Sequence, residues 1–122
     1  MIRVAIGGQV DRKRVCELVR QLGGVAVQVT EGSDVEAAMA VKSGKADYYL
    51  GACLTGGGGV AMATALLGRS NCLVASMPGR PPKADEIERA VQGGVKAFGF
   101  TADHAEQAVK LILKAIMEAQ ER

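Results

Sequence analysis

Asp47-Tyr48-Tyr49-Leu50-Gly51-Ala52-Cys53-Leu54-Thr55-Gly56-Gly57-Gly58-Gly59-Val60-Ala61-Met62-Ala63 reads as a strand, a glycine loop and the start of an apolar helix. Glycines just before a helix let the backbone approach a ligand closely, and the unpaired N–H groups of the helix start face an anion with the favourable end of the dipole. A phosphate or carboxylate is the expected guest, with Thr55, Gly56, Gly57, Gly58 and Gly59 as its ligands. Cys53 has two readings at this turn. Nearby amides can acidify a thiol into a nucleophile or proton-transfer base, or the residue packs as a small hydrophobe.

Outward from this stretch, short runs rich in Val, Ile, Tyr or Phe alternate with segments of helical periodicity, about five times over. The alternation predicts βα units around a mostly parallel sheet. Strands are expected at 2–6, 25–29, 46–50, 72–75 and 96–100, and helices at 11–22, 33–44, 60–67, 84–92 and 104–120. Ser33 followed three residues later by Glu36 has capping-box spacing, and Thr101 or Asp103 is the expected cap of the last helix. The third helix is apolar nearly all round, so it is either sandwiched inside the fold or buried against a second subunit. Five such units predict a three-layer, doubly wound α/β fold, flavodoxin- or Rossmann-like, of strand order 2-1-3-4-5.

A chain of 122 residues fits one domain, 1–122, with 48% hydrophobic and 23% charged residues placing it among globular proteins. Fifteen basic and thirteen acidic residues, scattered over helix-like segments, leave no electrostatic footprint for nucleic acid. Cys16, Cys53 and Cys72 form neither a disulfide framework nor metal-site spacing, and no metal or cofactor is expected. The start Met1-Ile2-Arg3-Val4-Ala5-Ile6-Gly7 is too soon interrupted by charge for a signal peptide, and no run approaches a membrane span. The expected location is cytoplasmic, with no membrane insertion and a homo-oligomer as the expected assembly.

Ligands of doubly wound sheets bind beyond the carboxyl ends of the strands, near the switch in strand order. That places Gly8 and Gln9 after strand one, the glycine loop after strand three, Arg80 after strand four, and Thr101, Asp103 and His104 after strand five on one edge. Four glycines in a row satisfy the dinucleotide spacing trivially, no acidic ribose ligand follows, and no Lys-Ser or Lys-Thr makes a Walker loop. A small anionic metabolite remains. His104 is a binder or proton donor there, or a helix-start residue bonded to its neighbour. Arg80 either grips a phosphate with its planar fork or lies idle at the surface.

Gly7-Gly8-Gln9, Gly51-Ala52-Cys53-Leu54-Thr55-Gly56-Gly57-Gly58-Gly59, Ser76-Met77-Pro78-Gly79 and Gly99-Phe100-Thr101-Ala102-Asp103-His104 together resemble the YhfU-like family of bacterial proteins, across essentially the whole chain. That family has no known function; its genomic setting implies a metabolic or transport-linked role. More distantly, the chain is similar to B-type ribose-5-phosphate isomerases and galactose-6-phosphate isomerases, with their Cys-Gly-Thr-Gly-x-Gly loop after strand three. The resemblance implies a proton-moving role for Cys53 and oxyanion-holding amides at Thr55 to Gly59. Leu54 stands where that loop has its first glycine, and Gly8-Gln9 where the isomerases carry Asp-His.

Three functions follow. The first is a binding or sensing protein for a small phosphorylated or carboxylated metabolite. The second is an isomerase-like enzyme on a sugar phosphate, with Cys53 as base. The third resembles the sugar-specific B subunits of phosphotransferase systems, whose cysteine follows the first strand; here Gly7-Gly8-Gln9 occupies that place.

Overall fold

The computed structural model describes residues 1–121. Five parallel strands form one sheet: β1 (Ile2–Gly8), β2 (Val27–Glu31), β3 (Tyr48–Cys53), β4 (Cys72–Val74) and β5 (Ala97–Thr101). Helices α1 (Arg12–Gly23), α4 (Ala84–Gln92) and α5 (Ala105–Gln120) cover one face, and α2 (Asp34–Lys42) and α3 (Ala61–Leu67) cover the other. This is the expected three-layer, doubly wound α/β architecture, and the sheet is parallel throughout.

The strand order is 2-1-3-5-4, a correction to the expected 2-1-3-4-5. The physical reason is burial. Every residue of β5 is buried, as suits a strand covered on both faces, whereas β4 is three half-buried residues long and sits at the edge. The reversal of strand order still falls between β1 and β3, which pair Gly7 with Gly51 and Gly8 with Ala52.

The two faces of the sheet differ in the size of the side chains that cover them. Branched and aromatic side chains such as Ile6, Val19, Phe98, Phe100, Ile112 and Ile116 fill the α1/α4/α5 side. Small ones, Ala5, Ala37, Ala38, Ala63 and Ala97, line the α2/α3 side, where Tyr49 supplies most of the bulk. The Ser33 capping box is formed in both directions, Glu36 N–H to Ser33 Oγ at 3.1 Å and Ser33 N–H to Glu36 Oε1 at 2.9 Å.

Three local expectations are corrected. Strand two starts at Val27, because Gly24–Ala26 forms a 3-10 turn that leaves Val25 95% exposed. The last helix is entered through a 3-10 turn, Ala102–His104, with His104 at the cap position and no side-chain capping bond. Helix α3 is seven residues long and buries only Ala63, while Ala61, Met62 and Ala65 lie open, so it is not sandwiched inside the fold.

Candidate functional site

Strand β3 runs on through Gly51 and Ala52, so that Cys53 is its last residue rather than part of a loop. The chain then folds back over its own end. The backbone N–H of Gly56 donates to Cys53 Sγ at 2.8 Å, and the Thr55 hydroxyl lies 3.5 Å from the same sulfur. Burial is the largest single influence on this thiol and pushes its pKa up. Hydrogen bonds from the Thr55 hydroxyl and from the backbone N–H groups of Thr55, Gly56 and Gly59 together outweigh it, so the pKa lies below the ordinary thiol value. The loop amides therefore converge on sulfur. That corrects the expected picture of a helix start facing outward: a 3-10 turn, Gly57–Gly59, intervenes before α3, and Gly58 N–H donates back to Thr55 Oγ1 at 3.4 Å.

The four glycines do different things. Gly56 has φ +89°, and a Cβ there would overlap the carbonyl oxygen of Ser76. Gly59 and Gly51 face each other so closely that a Cβ on either would overlap the other's carbonyl oxygen. These two contacts clamp the loop onto β3 and the β4 end. Gly57, in contrast, has open space where a side chain would stand. At Gly58 a Cβ would lie 2.9 Å from Gln9 Oε1 and 3.4 Å from Cys53 Sγ, which puts the Gln9 amide and the cysteine side by side.

Thr101 stands opposite Cys53 in the β3/β5 register. Ser76, fully buried, receives the Thr101 N–H at 2.9 Å, and its hydroxyl lies 3.2 Å from Thr101 Oγ1. Thr101 Oγ1 in turn lies 2.7 Å from His104 Nδ1. Hydroxyl, hydroxyl and imidazole thus form a continuous hydrogen-bonded chain from Ser76 through Thr101 to His104. Asp103 is open to solvent, and the Thr101 hydroxyl holds its carboxyl below the usual range.

At the ends of β1 and β2 lies an open depression of about 470 Å³, walled by Gly8, Gln9, Arg12, Asp34, Val35 and Met62. Gly8 adopts φ +90° there, and a Cβ would come within 2.5 Å of Ala52 N, so only glycine lets β1 end this close to β3. Its N–H donates to Asp34 Oδ1 at 2.5 Å. Arg12 Nη1 donates to the Gly32 carbonyl at 2.7 Å. Below them the Tyr49 ring fills room left by Gly7 and Gly51, and its hydroxyl donates to the Gly59 carbonyl at 2.6 Å. Burial, then the neighbouring Asp34 carboxylate, raises the Tyr49 pKa well above the ordinary phenol value.

The structure thus brings together Gly8, Gln9, Cys53, Thr55, Gly56, Gly58 and Gly59, with Thr101 opposite Cys53 on the neighbouring strand and His104 bonded to Thr101. Arg80 does not join them. It closes a tight turn with Met77 and pairs with Glu86 at 3.0 Å, away from the glycine loop's own contacts. Arg12, Asp34 and Tyr49 were not singled out by the sequence. Arg12 reads as a water-facing helix residue and Tyr49 as core; Asp34 follows a cap on the ligand edge, which is the one signal that marks it. Among the described residues no group of three or more His, Cys, Asp or Glu side chains gathers as a metal site, and no helix is long and apolar enough to cross a membrane.

Residues 2–116 match a family described as protein of unknown function DUF2620. The uncharacterized protein YhfU of Escherichia coli K12 is 32% identical over 114 residues, 93% of this chain and 97% of the relative. YhfU of Shigella flexneri matches to the same extent, 32% over 114 residues. Among solved structures, ribose-5-phosphate isomerase B of Giardia lamblia superposes with TM-score 0.72 at 18% identity, over 95% of this chain and 94% of that one. The Thermotoga maritima ribose-5-phosphate isomerase gives TM-score 0.70 at 16% identity, over 95% and 86% of the two chains. These two likenesses concern the fold.

Proposed function

Because the chain belongs to the DUF2620 family, whose function is unknown, we propose a role drawn from its own site: it binds a small anionic metabolite, phosphorylated or carboxylated, at the glycine-rich loop after β3. The observation that carries this reading is the convergence of Thr55, Gly56 and Gly59 amides on a buried, acidified sulfur beside an open, Arg12-bearing depression. Amides already held in one direction favour negative charge without reorganising. The reading has the protein in the cytoplasm, in a binding or sensing role. It includes a homo-oligomer formed through the open apolar residues Ala61 and Ala65 of α3, which sedimentation equilibrium tests.

A second reading is favoured by the lowered Cys53 pKa and by the fold shared with ribose-5-phosphate isomerase B. Here the chain is an isomerase on a sugar phosphate. The Cys53 thiolate takes a proton from the hydroxyl-bearing carbon beside a carbonyl, the loop amides hold the resulting enediolate oxygen, the hydroxyl proton passes to the former carbonyl oxygen, and the thiol returns its proton to the former carbonyl carbon.

One experiment separates the two. A panel of sugar phosphates and small carboxylates is added to protein labelled with 15N, and amide signals of Gly56 to Gly59 are followed alongside the proton spectrum of each compound. Binding shifts those amides, and a compound at 100 times its dissociation constant stabilises the fold by about 2.7 kcal/mol. Shifts without conversion support the binding role. Steady conversion that Cys53→Ala abolishes supports the isomerase. No shift with any compound, either of these amides or of those of Gly8, Gln9, Arg12 and Asp34 beside the loop, overturns both.

A further inference from the structure

Two side chains of opposite charge wall the depression at the β1 and α2 ends, and they are not paired with each other. Among the described residues neither Arg12 nor Asp34 belongs to any ion pair. Arg12 is tethered through one nitrogen, Nη1, to the Gly32 carbonyl. A guanidinium has five N–H donors, so this tether fixes its direction while leaving donors for a carboxylate. Asp34 Oδ1 is engaged by the Gly8 N–H. A carboxylate offers about four acceptor sites, so it still accepts from a guest. The nearby Glu36 carboxylate is committed to the Ser33 cap. Gln9 and Ser33 line the same depression, and Val35 and Met62 supply apolar wall.

One cation and one anion make a lining of zero net charge. A phosphate dianion seated against Arg12 would bring two negative charges toward Asp34, and no second cation lines the depression to offset them. A ligand with a single negative charge and a separate donor meets both walls favourably. The geometry points to a short-chain carboxylate that carries an ammonium or hydroxyl group: its carboxylate binds Arg12, its donor binds Asp34, and its carbon chain rests on Val35 and Met62. This deepens the proposed function by choosing the carboxylated class, and it rests on that reading of the edge as a ligand site. It also sets the ligand apart from the sugar phosphate named for the isomerases of the same fold.

The test is an NMR titration that follows the amides of Gly8, Gln9, Arg12 and Asp34 separately from those of Gly56 to Gly59. The probes are L-alanine, β-alanine and 4-aminobutyrate, the hydroxy acids of matching length, the plain acids propionate and butyrate, and inorganic phosphate. The expected result is that at least one amino or hydroxy acid binds tenfold or more tightly than its plain acid. In Asp34→Asn, which keeps an oxygen for the Gly8 N–H, that tenfold preference is lost, and Arg12→Gln abolishes binding of every carboxylate. An ammonium and a hydroxyl are told apart by which series responds. Equal binding of plain and substituted acids overturns the inference. So does phosphate binding to the wild-type protein at Gly8 and Arg12 that is as tight as that of the best amino or hydroxy acid. Shifts confined to Gly56 to Gly59 refute this inference and leave the proposed function standing, whereas silence at both sets with every probe, and with the wider panel, refutes both.

Discussion

Removing one oxygen atom, by Tyr49→Phe, tests how the site is held. The ring is fully buried between the strand glycines Gly7 and Gly51, so the substitution leaves no cavity larger than the lost hydroxyl. What it removes is the 2.6 Å hydrogen bond to the Gly59 carbonyl. A buried acceptor left without its donor costs about 1–3 kcal/mol. At about 2.1 cal/mol/K per residue, a chain of 122 residues loses roughly 4 °C of melting temperature per kcal/mol, so the midpoint falls by about 4–12 °C. The pH dependence has a definite sign. Because the phenol pKa is raised in the folded state, Tyr49 contributes stability that is complete below the unfolded value of about 10 and is lost as pH climbs toward the folded value. Wild type therefore loses stability steeply above pH 10, and the Phe variant loses less. Tyr48, also raised by burial, is present in both proteins and cancels. Thermal melts by circular dichroism between pH 7 and 11 read both effects. A variant melting within 1 °C of wild type, with the same alkaline limb, refutes the argument that this hydroxyl holds the loop.

Thiolate absorbance at 240 nm, with a Cys53→Ala blank, is expected to show Cys53 titrating below the ordinary thiol value while Cys16 and Cys72, pushed up by burial, titrate above it. The stability that Cys53 contributes is accordingly present above the unfolded thiol pKa and lost as pH falls through the folded one. Gly56→Ala forces a Cβ into the Ser76 carbonyl at φ +89° and should destabilise by about 3 kcal/mol or more in urea unfolding, whereas Gly57→Ala should stay within about 0.5 kcal/mol. Asp47, held below the usual carboxylate range by the Arg3 guanidinium, contributes stability that is lost as pH falls below 4. Acid unfolding of Asp47→Asn should lack that part of the transition.

Helical signals were the most legible part of the sequence. The Ser33 box and the Ala84–Gln92 helix appear as read, because caps and period are written in neighbouring residues. The sheet order was not legible, since the β5–β3 and β5–β4 pairings depend on β5 being covered on both faces, Phe98 and Phe100 on one and Ala97 on the other, a property of distant partners. Gly51 read as a strand end for a similar reason. Its missing side chain makes room for the Tyr49 hydroxyl and the Gly59 carbonyl, so the glycine continues the strand rather than breaking it. At the site, the loop's chemistry was visible but its direction was not. Gly56 and Gly58 each turn the N–H group onto a side chain three residues behind, and that reversal depends on contacts with Ser76 and Gly51 that local sequence does not encode.

Placing β5 between β3 and β4 has a consequence for how the chain is born. A strand order that grew outward would let each new strand pair with the one just made. Here β4 has β5 as its sheet partner, so residues 72–74 leave the ribosome before anything exists for them to pair with. At about 5–20 residues per second, the wait until residues 97–101 are synthesised lasts roughly 1–5 s. Through that interval α3 and β4 form a tethered apolar segment with open backbone groups, and the central seam between β3 and β5 closes only with the final strand. The nascent protein's window of exposure to chaperones and to its own neighbours is thus set by the late arrival of Ala97-Phe98-Gly99-Phe100-Thr101.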